Sequence, residues 1–266
     1  MIAHVYNVKR TFMEHLIHFN NHFGEKLTGT LHMPILPSDY AVVFGHCFTC
    51  TRHTSVLRHI CSELTEEDFM ALRFDFSGNG QSEGNFAEST YSKQISEMTT
   101  AIALLSKKGA SWIGLAGHSL GAAIVLLTAV QQQAVKAVCV LAGRLSGLNA
   151  MHFLSQTQRR KLQNTGRVLF SSRRRALQLS NDFFADADKY NLPDVVSSLQ
   201  TPLLIVHGDN DEIIPVHEAY QAQELNPANT KLAVIPQADH MFSRMEHRKQ
   251  ISKLVVEWFK EQRIKH

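Results

Sequence analysis

Five residues, Gly117-His118-Ser119-Leu120-Gly121, restrict this chain more than any other feature. An apolar stretch, Trp112 to Ala116, precedes them, and small or branched apolar residues, Ala122 to Val125, follow. The pattern predicts a strand that turns sharply into a helix. A glycine stands on each side because a side chain there would collide with the neighbouring strand and helix. A serine hydroxyl is a poor nucleophile unless it is held clear of the backbone beside a base. Such a turn does the first of these, so Ser119 is the candidate nucleophile.

The rest of the chain supplies a setting for that turn. Short apolar, β-branched runs alternate with amphipathic stretches, the pattern that builds a mostly parallel sheet covered by helices. Core strands are predicted at Ala41–Phe44, Phe69–Phe74, Trp112–Ala116, Ala137–Leu141, Leu203–Val206 and Lys231–Ile235, with helices at 54–66, 91–107, 119–132, 216–224 and 242–262. Segments 11–19 and 27–33, around Asn20-Asn21 and Gly24, read as an opening antiparallel pair. Between Leu141 and Pro202 lie about 60 residues, too many for one crossover helix. An inserted cap over the C-terminal edge of the sheet is the expectation, since open α/β sheets bind their ligands there. With 266 residues and 44% apolar content, one domain spanning 1–266 suffices, the cap occupying approximately 144–199.

A nucleophilic serine requires an acid and a histidine further along, and both occur in that order. The acid lies in Val206-His207-Gly208-Asp209-Asn210-Asp211-Glu212, after a predicted strand and before a helix that Pro215 can start. Asp211 is the choice and Asp209 the alternative, because loop-tip acids also serve as turn formers. Among 15 histidines, His240 is selected by position alone: it follows the last strand, where a loop can bring it over the serine. Asp239 beside it reads as a cap or loop hydrogen-bonder. Acyl transfer also needs donors aimed at the developing oxyanion. Leu120 N–H is one candidate; Phe48 N–H, in the loop Gly45-His46-Cys47-Phe48-Thr49-Cys50, is the second. His46 precedes the serine and is the weaker choice of base.

These residues, together with Arg73-Phe74-Asp75-Phe76-Ser77-Gly78-Asn79-Gly80-Gln81-Ser82-Glu83-Gly84, resemble the α/β-hydrolase superfamily. Within it, the Arg73 to Gly84 segment resembles the branch of feruloyl and cinnamoyl esterases, serine-aminopeptidase-like hydrolases and hydrolase units fused to OsmC-type domains. The likeness to the last group extends to His46–Cys50. It covers residues 40 to 135 well and 200 to 260 adequately, while no likeness is named for the cap. The resemblance implies an α/β-hydrolase fold with about eight strands, helices on both faces and an inserted cap. It also implies a serine hydrolase acting on carboxylic esters through an acyl-enzyme, without a cofactor. Thioesterase, peptidase or acyltransferase chemistry on the same residues is the alternative, as is a binding protein that reuses the scaffold without catalysis. One departure stands out: Cys47 occupies a position where the family usually has glycine. Asp75 and Ser82 are expected to fix their loop rather than react.

Charge and cysteine content narrow the partners. Lys and Arg number 27 against 24 acids, a formal +3, which gives no reason to expect nucleic acid. Locally, however, Met98 to Asn181 contains no Asp or Glu, while Arg144, Arg159, Arg160, Lys161, Arg167, Arg173, Arg174 and Arg175 crowd the insertion. Such a run is ordinarily a solvated face; the alternative is recognition of an anionic substrate or a membrane surface. Cys47, Cys50, Cys61 and Cys139 form no disulfide framework, and the Cys47-x-x-Cys50 pair reads as structural or incidental thiols, with redox or metal roles less favoured. Met1 to Arg10 carries no apolar h-region, and the run Ala122 to Val130 falls short of the roughly 20 residues a membrane helix needs. The expectation is a cytoplasmic protein with no transmembrane segment and a small-molecule ester as partner. Oligomeric state is left open.

Overall fold

The computed structural model describes residues 13–265. The chain opens with β1 (Met13–Asn20), β2 (Lys26–Met33) and β3 (Tyr40–Gly45), then α1 (Ser55–Glu66), β4 (Met70–Phe74), α2 (Tyr91–Lys107), β5 (Trp112–His118), α3 (Leu120–Ala129) and β6 (Val135–Leu141). A long excursion follows: α4 (Gln156–Thr165), β7 (Arg167–Ser172), β8 (Arg175–Ser180), α5 (Asn181–Ala187) and α6 (Leu192–Ser198). The chain then completes β9 (Leu203–Gly208), α7 (His217–Leu225), β10 (Thr230–Ile235) and α8 (Met245–Ile264). Positions 11 and 12 of the predicted opening strand lie outside the described residues.

Eight strands form one sheet in the order β1-β2-β4-β3-β5-β6-β9-β10. β1 and β2 run antiparallel, β2 pairs antiparallel with β4, and every other neighbour is parallel. Parallel strands covered on both faces should read as unbroken apolar runs, and β3 does. Its Val42 and Phe44 point to a layer formed by α1 and α8, while Ala41 and Val43 face α2 and α3. Helix α3 is buried from Gly121 to Ala129, so the serine before it is anchored to the most enclosed helix among the described residues. No helix among the described residues is long and apolar enough to cross a membrane.

Two predicted helix boundaries move by three residues. The helix after Ser119 stops at Ala129 rather than 132, and the last helix starts at Met245 rather than 242. In the second case Asp239 accepts a hydrogen bond from Ser243 N–H at 2.7 Å and Phe242 takes φ +50°, so an ordered loop replaces the first turn.

The excursion contains a hairpin, β7–β8, that the sequence pattern does not announce. Its entry is locally encoded: Ser155 and Gln158 form a capping box at the start of α4, and Gly166, at φ +69°, ends the helix and turns the chain into β7. Val168, Leu177 and Leu179 supply the face buried against the main core. The last pair of the ladder is Ser172 with Arg175, leaving Arg173 and Arg174 as a two-residue loop with φ +50° and +62°. Such loops favour Asn-Gly, and left-handed backbone costs other residues roughly 1–2 kcal/mol each. With two arginines there, no turn signal is legible in the sequence.

Candidate active site

At the end of β5 the backbone reverses within one residue. Ser119 adopts φ 57° and ψ −115°, sparsely populated backbone that costs a non-glycine residue on the order of 1–3 kcal/mol. The glycines explain how the turn closes. A Cβ on Gly117 would lie 2.1 Å from the Gly121 carbonyl oxygen, and one on Gly121 would lie 2.2 Å from that of Gly45. Strand β3, the turn and helix α3 therefore meet backbone to backbone, and the serine hydroxyl projects, half-buried, beyond the strand ends.

Two further loops converge on it. Gly208 ends β9 against the loop that follows β10, where a Cβ would stand 2.1 Å from the Ala238 carbonyl oxygen. Asn210 N–H also bonds that oxygen, at 3.2 Å. This contact lays the loop carrying Asp211 beneath the loop carrying His240. His240 Nδ1 donates to Asp211 Oδ2 at 2.8 Å, and Ser119 Oγ donates to His240 Nε2 at 3.1 Å. A carboxylate only accepts, so it selects the imidazole tautomer that leaves Nε2 free to take the serine proton. Asp211 Oδ1 accepts from Ile213 N–H at 2.9 Å and Ile214 N–H at 2.8 Å. Burial alone would raise the Asp211 carboxyl; bonds from His207, His240 and Ile214 outweigh it and hold the group well below the usual carboxylate range. Asp209 is used elsewhere, accepting from Gln237 N–H at 2.6 Å.

The third loop, after β3, carries Phe48. Its ring lies 5.2 Å from Phe86, 5.2 Å from Phe183 and 5.9 Å from Phe170, so it is held between the body of the molecule and the excursion. The reading of Cys47 and Cys50 as free thiols is corrected here. The turn closed by Cys50 N–H to Cys47 carbonyl brings their Cα atoms to 5.2 Å, within disulfide reach, and the sulfurs are bonded. Leu120 is the first residue of α3, where a backbone N–H has no carbonyl a turn earlier. His46 is a brace. Its Nδ1 donates to Cys47 carbonyl at 2.7 Å and its Nε2 accepts from Phe76 N–H at 3.1 Å. Asp75 and Ser82 are likewise structural. Asp75 pairs with buried Arg52 and accepts from Gln81 N–H at 3.0 Å, and Ser82 Oγ donates to the Asp75 carbonyl at 2.6 Å.

Sequence reasoning passed over two histidines. His118 donates through Nε2 to the backbone carbonyl of His240 at 2.8 Å. Burial, then the nearby charge of His240 and more weakly that of Arg173, push His118 down to about 3, while Asp211 and the hydrogen bond act oppositely. His207 Nε2 donates to Ile214 carbonyl at 2.8 Å and lies 3.3 Å from Asp211 Oδ2. Their signal was positional: one neighbours Ser119 and the other stands one residue before the end of β9. Among the described residues, no group of three His, Cys, Asp or Glu could hold a metal ion.

A mostly parallel eight-stranded sheet, a glycine-flanked serine turn and three converging loops define an α/β-hydrolase. The model of the serine aminopeptidase (S33) family matches residues 37–192, more than half the chain, and the chain belongs to that family of hydrolases. Mouse "Palmitoyl-protein thioesterase ABHD10, mitochondrial" is 26% identical over 190 residues, which span 69% of this chain and 62% of the mouse protein. "Uncharacterized peptidase YuxL" of Bacillus subtilis is 35% identical over 91 residues, 31% of this chain and 14% of that protein. Among solved structures, Est1E from Butyrivibrio proteoclasticus with bound ferulic acid superposes with a TM-score of 0.80 at 24% identity, covering 92% of this chain and 98% of that one. Mouse "Alpha/beta hydrolase domain-containing protein 10" gives 0.72 at 20% identity, covering 93% and 99%.

Proposed function

We propose that this hydrolase cleaves carboxylic esters through an acyl-enzyme. Ser119 Oγ attacks the ester carbonyl while His240 Nε2 takes its proton, and the carboxylate of Asp211 steadies the imidazolium. The N–H groups of Leu120 and Phe48 receive the oxyanion. The alcohol leaves with the proton returned by His240, and water hydrolyses the acyl-enzyme by the same route. The single observation that carries this reading is the continuous relay from Ser119 to Asp211, at 3.1 and 2.8 Å. Residues 144–199 act as a cap: Phe170 and Phe183 from that stretch meet the ring of Phe48 and give the acyl side an apolar wall.

A thioester is the second substrate class, favoured by the name of the mouse relative. Matched p-nitrophenyl esters and acyl thioesters of increasing chain length, assayed on the purified protein, separate the two. Ser119→Ala should lower turnover of the better class on the order of 10⁴-fold or more while leaving the circular dichroism spectrum unchanged. Retention of a tenth of the activity would remove Ser119 as nucleophile.

A further inference from the structure

The arginine-rich loop of the β7–β8 hairpin is not merely exposed; it spans the site. Ser172 Oγ lies 2.8 Å from Thr49 Oγ1, and Thr49 directly follows Phe48. On the other side, Arg173 Nη2 reaches Met241 Sδ at 3.5 Å, and Met241 directly follows His240. The hairpin tip thus touches both loops, the one that carries Phe48 through Ser172 and the one that carries His240 through Arg173. A thioether is a weak acceptor, so this contact leaves the guanidinium fork largely unused. No carboxylate among the described residues forms an ion pair with Arg173, and the sequence from Met98 to Asn181 contains no acid that could.

We propose that Arg173 recognises an anionic group, a carboxylate or phosphate, carried by the ester a short distance from its scissile carbonyl. The assignment rests on the hydrolytic reading of Ser119. Guanidinium geometry suits it, since the planar fork binds carboxylate or phosphate oxygens in pairs, which a diffuse positive field does not do. The hairpin supplies the rigidity. Two left-handed arginines in a two-residue loop fix the direction in which Arg173 leaves the backbone, and the Ser172 and Phe170 contacts hold the tip against the site.

The test uses p-nitrophenyl esters of equal length ending in a carboxylate, a phosphate or a neutral carboxamide. At low salt the parent protein should show kcat/KM for at least one anionic ester about tenfold above the carboxamide, and which anion wins identifies the group. The ratio should fall toward one in Arg173→Gln, take an intermediate value in Arg173→Lys, which keeps the charge without the fork, and stay at the parent value in Arg167→Gln. Arg167, at the far end of the hairpin, bonds only Gln178 through its side chain among the described contacts and serves as the charge-matched control. Equal rates for all three esters in the parent would overturn the proposal, as would an equal fall in Arg167→Gln, which would mean a general field. Modification of Ser119 by a neutral fluorophosphonate monitors the underlying reading separately. If Ser119 is not labelled, hydrolysis by Ser119 falls and this proposal with it; if it is labelled and the ester ratio is one, only the anion site falls.

Discussion

Acid should unfold this protein through histidines that are buried without charge, and His118 permits a quantitative test. In the folded state burial pushes it down from an ordinary 6.5 to about 3. The folded pKa lies below the unfolded one, so the unfolded chain takes up the proton first. The stability associated with His118 is therefore intact above about pH 6.5 and is lost as pH falls toward about 3. Across that window one such group changes the unfolding free energy by about 1.4 kcal/mol per pH unit, which comes to roughly 2 kcal/mol between about pH 8 and about pH 5. His32, likewise pushed to about 3 by burial and then by Arg73, adds a similar amount. The perturbation is His118→Gln, which keeps an N–H donor for the His240 carbonyl and removes the titration. Urea unfolding followed by tryptophan fluorescence at both pH values gives the difference in stability for parent and variant. Whatever the variant loses at pH 8, its further loss on going to pH 5 should be about 2 kcal/mol smaller than the parent's, because every other titrating group is common to both. Equal losses would show that His118 protonates at an ordinary pKa in the folded protein and would refute the reasoning.

Other expectations follow from single contacts. Asp211→Asn leaves His240 without the acceptor that sets its tautomer, so kcat should fall roughly 10³–10⁴-fold; Asp209→Asn, which removes only an acceptor for Gln237 N–H, should cost less than about tenfold. The reverse ranking in steady-state assays would shift the acid two residues upstream. Gly121→Ala places a Cβ against the backbone of Gly45 and should destabilise the fold by about 1–3 kcal/mol with loss of most activity. Gly147→Ala, where a Cβ meets nothing within 4 Å, should change neither the melting temperature nor kcat.

What the sequence alone determined is local. The Gly117–Gly121 turn, the apolar strands on either side and the order of helices and strands are set by periodicity and by residues that only one backbone path accommodates, so all eight strands of the sheet were legible. The capping box at Ser155 and the glycine at 166 belong to the same kind of information. The candidate nucleophile is legible for that reason too. Asp211 is preferred to Asp209 in the sequence, but no local pattern decides between them. Both sit in one polar loop, and only the packing of Gly208 against Ala238 decides which carboxylate lies under His240. The supporting roles of His118 and His207 also depend on groups more than a hundred residues away or across a tight loop, and fifteen histidines offer no pattern that singles them out. Pairing of Cys47 with Cys50 required the turn that draws their Cα atoms together. The hairpin was hidden because its loop uses two arginines where turns normally signal themselves with glycine or asparagine. Local propensity and periodicity act over a few residues and are written in neighbouring letters. Which loops meet above the sheet is fixed by register, strand order and close backbone contact, and those come into being only when the chain has folded.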